Sequence, residues 1–367
     1  MIHLSTPDLR GREEEYLSQC VRDNWVSSSG PFVTEFEARM ARLCDLPAAV
    51  ATLNGTVSLQ LALSAAGVGP GDQVILPDWT FAATANAVVH VGAEPLFVGV
   101  VPGGVTLCPT LTEKVLASGD GRVKAVIAVH VLGRAPNLTQ IRKACDAHGA
   151  ILIEDAAGAL GATFDDQPVG RIGDMSVFSF NGNKIVTAGG GGILVGRNDQ
   201  LVEHAGHLCQ QARVGADYNY DAIGFNYRMT NINAAVGLAQ LERLDEMVAR
   251  RLKIQRRYDE TLLPLEGFHA LPLSEWDRPY CWLYTLRCQD ASMAADLVGY
   301  LRERSIEARR FWMRLGIQKP YRAFQQVGCE SGDYLSGTLI SLPCSSHLLD
   351  ADQERVVRAV RSWSESE

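Results

Sequence analysis

Between about residues 50 and 200 the chain alternates short apolar, β-branched runs with stretches of helical periodicity. The runs are Val74-Ile75-Leu76, residues 95–100, 125–130, 151–153 and 177–180, and Ile193-Leu194-Val195. Runs this short and this apolar suit strands buried on both faces, with the amphipathic stretches between them as cover. The pattern predicts an α/β domain with a mostly parallel central sheet, whose function sits in the loops at strand ends. Residues 231–262 carry Ala235, Leu238, Leu241, Leu244, Met247 and Val248 at helical spacing, which predicts one long helix leading out of that domain; Pro264 and Gly267 end it. Beyond it, residues 282–286, 294–304 and 352–363 read as a smaller α+β unit. The expected division is a large α/β domain over residues 1–250 and a small C-terminal α+β domain over 251–367.

Charge narrows the partners. With 34 Lys+Arg against 42 Asp+Glu, the net charge of −8 argues against nucleic acid or an anionic membrane surface, since both need an excess of cations. No apolar run approaches the ~20 residues of a membrane span, and the opening MIHLSTPDLRGREEE lacks the features of a secretory leader, so a cytoplasmic protein is expected. The nine cysteines include no C-x-x-C pair and the eight histidines show no ligand spacing; reduced thiols and no metal are expected.

Lysine is scarce: Lys114, Lys124, Lys143, Lys184, Lys253 and Lys319 are the full set. Lys184 differs from the others because it lies in Ser179-Phe180-Asn181-Gly182-Asn183-Lys184-Ile185-Val186, where a strand gives way to a tight loop that runs into four glycines. An amine in such surroundings loses proton affinity and becomes a nucleophile toward an aldehyde; the alternative is a surface lysine beside a turn. Glu154-Asp155 ends the strand 151–153, and period-2 alternation sends the two carboxylates to opposite faces. A buried carboxylate needs a cation, such as a protonated pyridine nitrogen, or else the hydrogen bonds of loop amides. Asn54-Gly55-Thr56 opens an apolar helix, either as a phosphate cradle or as a plain N-cap. Neither G-x-G-x-x-G nor a P-loop occurs.

In this order, with Trp79-Thr80-Phe81 between cradle and aspartate, the motifs make the chain resemble the DegT/DnrJ/EryC1/StrS group of sugar aminotransferases. Asn24-Trp25-Val26-Ser27-Ser28 and Gly224-Phe225-Asn226-Tyr227-Arg228-Met229-Thr230-Asn231 extend the resemblance over nearly the whole chain. It implies the pyridoxal 5′-phosphate-dependent fold type I, like that of aspartate aminotransferase. It implies Lys184 and Asp155 as catalytic residues, the first as Schiff-base partner and proton shuttle, the second paired with the pyridine nitrogen. Gly55, Thr56, Phe81, Ser179 and Asn226 would complete the cofactor site, Asn226 from a neighbouring subunit, so that a homodimer shares its active sites. Asn181, Arg228 and Arg309 would bind substrate.

The subgroup most resembled makes 4-amino sugars on UDP-N-acetyl-6-deoxyhexoses, as in the bacillosamine and legionaminic acid pathways. The implied reaction moves an amino group from L-glutamate to the 4-keto group of a nucleotide-linked 4-keto-6-deoxy sugar. A sugar dehydratase of the same fold is the alternative, disfavoured by the intact Lys184, and a non-catalytic cofactor-binding protein is another. Two positions depart from the group's pattern: Gly158, where Gln, His or Glu is usual, and Gly316, where His is usual. Both glycines are expected to leave space beside the cofactor.

Overall fold

The computed structural model describes residues 1–119 and 121–366. Its strands, in chain order, are β1 (Ala48–Thr52), β2 (Gln73–Pro77), β3 (Glu94–Val98), β4 (Val123–Val129), β5 (Ile151–Asp155), β6 (Thr163–Phe164), β7 (Gln167–Pro168) and β8 (Met175–Ser179). They continue with β9 (Gly192–Gly196), β10 (Arg213–Val214), β11 (Asn219–Tyr220), β12 (Phe268–His269), β13 (Tyr284–Cys288), β14 (Arg309–Arg310), β15 (Gln326–Val327) and β16 (Leu339–Leu342). Eight form one sheet in the order β1-β9-β8-β5-β4-β2-β3-β15. Only β9 runs antiparallel to its neighbours there; every other pairing is parallel. The expected mostly parallel sheet is present, and its apolar runs are buried: every residue of β2 and of β9 is out of solvent.

The predicted long helix is two. Residues Asn231–Leu241 and Leu244–Leu262 are separate helices, with Arg243 outside helical geometry at φ −112°, ψ 12°. The apolar spacing runs on across the break, which is why periodicity alone missed it. The turn is held by polar contacts to the N-terminal segment: Tyr16 donates to Glu242, and Arg243 bonds both Asp8 and Glu246.

A second sheet, β12-β13-β16-β14, is antiparallel throughout and packs against the helix Ala291–Glu303, with the helix Asp350–Ser364 beside that helix and touching β12 through Trp363 against Phe268. Chain order and spatial grouping part company twice. Strand β15 returns to the edge of the large sheet beside β3, and Ile2 pairs with Ile306. No local pattern announces either contact. All nine cysteines are buried and unpaired.

Candidate active site

Strand ends and one helix start converge on a cleft of about 430 Å³. Asp155 closes β5, Ser179 closes β8, and Lys184 follows in the loop. The helix Gly55–Ala65 points its first turn at the same space, while Phe81 and Trp312 stand at its side.

The alternation at the end of β5 separates two carboxylates with different fates. Glu154 is fully buried, bonded to His130 Nε2 at 2.7 Å and to the amides of Gly170, Ile172 and Gly173 at 2.9, 2.8 and 2.6 Å. Burial pushes its carboxyl up, but the His130 contact and those amides outweigh this and hold it below its ordinary value. Asp155, 5% exposed, faces the cleft. Its oxygens accept from Thr84 Oγ1 at 2.8 Å and from the Ala157 amide at 3.2 Å. Among the described residues no cation forms an ion pair with it. An ionised carboxylate so placed calls for a positive partner in the cleft.

Lys184 supplies the complementary oddity. Burial depresses its amine from 10.5 to about 8, although the charge of Asp155 works in the opposite direction. Just above neutrality a substantial fraction is therefore the neutral nucleophile. Its Nζ sits 3.7 Å from the centroid of the Trp282 ring.

The helix start is shaped for an anion. Asn54 Oδ1 caps the Val57 amide at 3.0 Å, and helix geometry leaves the amides of Gly55 and Thr56 without an intrahelical acceptor. A Cβ on Gly55 would come within 3.0 Å of the Ser179 Cβ, so glycine is what lets the helix start approach the end of β8. Phe81 is 57% exposed, with its ring 6.0 Å from that of Trp312. A flat, phosphorylated pyridine fits this donor set: amides for the phosphate, a lone carboxylate for the ring nitrogen, an amine for the aldehyde and an aromatic for the ring face.

Gly55, Thr56, Phe81, Asp155, Ser179, Asn181, Lys184 and Arg309 all line this one cleft. Asn226 and Arg228 do not. They border a separate depression with Ser28, His207 and Tyr218, where Arg228 donates to the Ser28 carbonyl at 3.0 Å and lies 3.8 Å from Glu37. Arg309 is tied to Glu307 at 2.7 and 3.1 Å. Its neighbour Arg310 lines the cleft too, is exposed, and forms no ion pair among the described residues.

The space expected at the two glycines is filled. At Gly158 the Trp282 indole occupies it, with Cε3 only 2.5 Å from where a Cβ would be. Gly316 lies off the cleft in the turn Leu315–Ile317, its amide 2.6 Å from Asp78 Oδ1, with Gln326 pressed against the missing side chain. Thr84 and Trp282 escaped sequence reasoning as site residues. Gly158 was the one local sign that something large stood nearby.

The described geometry agrees with comparisons against known proteins. The model of the DegT/DnrJ/EryC1/StrS aminotransferase family matches residues 7–361. EpsN of Bacillus subtilis (strain 168), assigned as a pyridoxal phosphate-dependent aminotransferase, is 38% identical over 98% of this chain and 95% of its own. GDP-perosamine synthase of Caulobacter vibrioides (strain ATCC 19089 / CIP 103742 / CB 15) is 36% identical over 98% of this chain and 97% of its own. Among solved structures, the aminotransferase TlmJ from Streptoalloteichus hindustanus superposes with a TM-score of 0.92 at 29% identity, covering 100% of this chain and 99% of that one.

Proposed function

Because the chain belongs to the DegT/DnrJ/EryC1/StrS aminotransferase family and is a pyridoxal phosphate-dependent sugar aminotransferase, we propose that it takes an amino group from L-glutamate and delivers it to the 4-keto group of a nucleotide-linked 4-keto-6-deoxy sugar. One observation carries the reading: a buried Asp155 that forms no ion pair among the described residues, facing the cleft that also holds a lysine whose amine burial depresses to about 8.

When bound, pyridoxal phosphate supplies an electron-accepting ring. Asp155, steadied by Thr84 and the Ala157 amide, would keep a proton on the ring nitrogen. Lys184 would hold the cofactor through its aldehyde carbon and, with its amine free, would move the proton at the reacting substrate carbon. Gly55, Thr56 and Ser179 bind the phosphate, and Phe81 covers the ring face. Asn226 reaches the phosphate of a second copy, which makes the homodimer the working unit. Asn181, Arg309 and Arg228 contact substrate, Arg228 from the second copy along with Asn226. Arg310 adds a free cation for the diphosphate.

The words Ser179-Phe180-Asn181-Gly182-Asn183-Lys184 and Gly189 to Gly192 favour a UDP-N-acetyl sugar of the bacillosamine or legionaminic acid kind. The likeness to GDP-perosamine synthase favours a GDP-linked sugar instead. The product would feed polysaccharide synthesis, and the enzyme would work in the cytoplasm; no helix among the described residues is long and apolar enough to cross a membrane. A panel of UDP-, GDP- and TDP-linked 4-keto sugars with glutamate, read by mass, tests both levels. A gain of an amino group on one of them supports the reaction and names the nucleotide; no amination of any, with the cofactor bound, would overturn it.

A further inference from the structure

Three contacts meet on one indole. A Cβ at Gly158 would lie 2.5 and 2.7 Å from Cε3 and Cζ3 of Trp282. These are ring atoms of a side chain only 7% exposed, so the ring has no room to yield and a hydrogen is what fits. The indole is held at one further point, where Nε1 donates to the Asn183 carbonyl at 2.8 Å; the backbone carbonyl of the same residue accepts from the buried Arg251. Against the ring face lies the amine of Lys184, 3.7 Å from the centroid. Trp282 stands two residues before β13 of the smaller sheet, whereas Asn183 and Lys184 follow β8 of the larger one. The indole therefore joins the second sheet to the loop that carries the reactive amine.

We propose that Trp282 is a positioning residue for Lys184, holding its amine on the ring face whenever that amine is not bonded to the cofactor, and that position 158 is glycine because the indole occupies its side-chain space. The inference rests on Lys184 being the residue that takes up the cofactor. A lysine side chain has four rotatable bonds and samples many rotamers, whereas proton transfer and capture of an aldehyde both need the nitrogen in one place. The negative ring face attracts the ammonium form and confines it. Asp155, at the end of β5, is the carboxylate whose charge acts on the same amine. Ring and carboxylate thus both favour the charged form against the burial that opposes it.

The test uses the full chain stripped of cofactor and follows, by absorbance across pH, how fast pyridoxal 5′-phosphate attaches to it. The variants are Trp282→Leu, Trp282→Phe, Gly158→Ala and the double Gly158→Ala/Trp282→Phe, each checked for folding by thermal melting. In Trp282→Leu the apolar bulk stays and the ring face goes. The midpoint of its profile should move down by about half a pH unit, because the ring face favours the ammonium form alone. Trp282→Phe should keep most of the parent's midpoint. Gly158→Ala should slow attachment because its methyl displaces the indole, and the double variant should recover the rate of Trp282→Phe, since the shorter phenyl ring clears the methyl.

Additive losses in the double variant, or Trp282→Leu with the parent's midpoint, would overturn the proposal. Should Trp282→Leu fail to fold, Gly158→Ala against the double variant decides alone. Attachment is read without glutamate or sugar. A parent protein that takes up the cofactor on Lys184 but never transfers an amino group would sink the functional reading while leaving the Trp282 result standing.

Discussion

The floor of the cleft and the face bearing Asn226 and Arg228 are built in opposite ways. On the floor, Asp155 faces the cleft with two donors and no ion pair among the described residues, Glu154 turns away to His130 and three amides, and Lys184 rests on an indole. The groups proposed for the pyridine ring, and all but Asn226 of those proposed for its phosphate, lie there within one chain. The other face is open: Asn226 is exposed, Tyr218 is 83% exposed and Ile223 93%. Two residues expected at the active site thus lie on a surface that a single copy leaves in solvent. The contrast teaches that the electronic part of the site is intrachain, whereas the part that closes over phosphate and substrate is completed, on the proposed reading, by a second copy.

The floor should be the more fragile of the two. Replacing Lys184 with Ala should cut amino transfer by at least ~10⁴-fold with the melting temperature nearly unchanged, because both the anchor and the proton carrier are lost. Product mass after long incubation checks this. Asp155→Asn should lower the single-turnover rate with glutamate by roughly 10²–10³-fold while cofactor content holds, since a neutral amide in a buried site no longer retains the ring proton. An unchanged rate would move the ring nitrogen away from β5.

The open face should yield smaller and shared effects. Mixing inactive Lys184→Ala subunits with inactive Asn226→Asp subunits should restore roughly a quarter of the parental activity, the share expected when half the dimers are hybrids with one intact site. No recovery after proven subunit exchange would put Asn226 outside the site. At the mouth of the cleft, Arg310→Gln should raise KM for the nucleotide sugar about tenfold and leave the glutamate half-reaction alone, the signature of a diphosphate contact. Arg309→Gln should do less, because Glu307 already holds that guanidinium.

What the sequence disclosed follows the same division. The parallel sheet was legible because strands buried on both faces must be written as short apolar runs, and the site residues at the ends of β5 and β8 were legible because chemistry has to follow those runs. The break at Arg243 was not, because hydrophobic spacing continues across it and the cause lies in contacts with Asp8 and Tyr16, more than 200 residues away. The two glycines misled for a related reason. A missing side chain reads as space in one dimension, whereas in three Trp282 arrives from a distant segment to fill the one and Gln326, ten residues on, the other. Arg309 was singled out by resemblance, whereas in the structure Glu307 holds it and Arg310, which also lines the cleft, forms no ion pair among the described residues.

The central claim is that Lys184, out of six lysines, carries the cofactor and releases it to an amino donor. Borohydride reduction of the cofactor-loaded enzyme followed by peptide mass mapping tests this most directly. The pyridoxyl mass should appear on the peptide containing Lys184, and it should vanish when L-glutamate is added before the borohydride. A label on any other lysine, or one on Lys184 that persists undiminished in the presence of glutamate, would contradict the account.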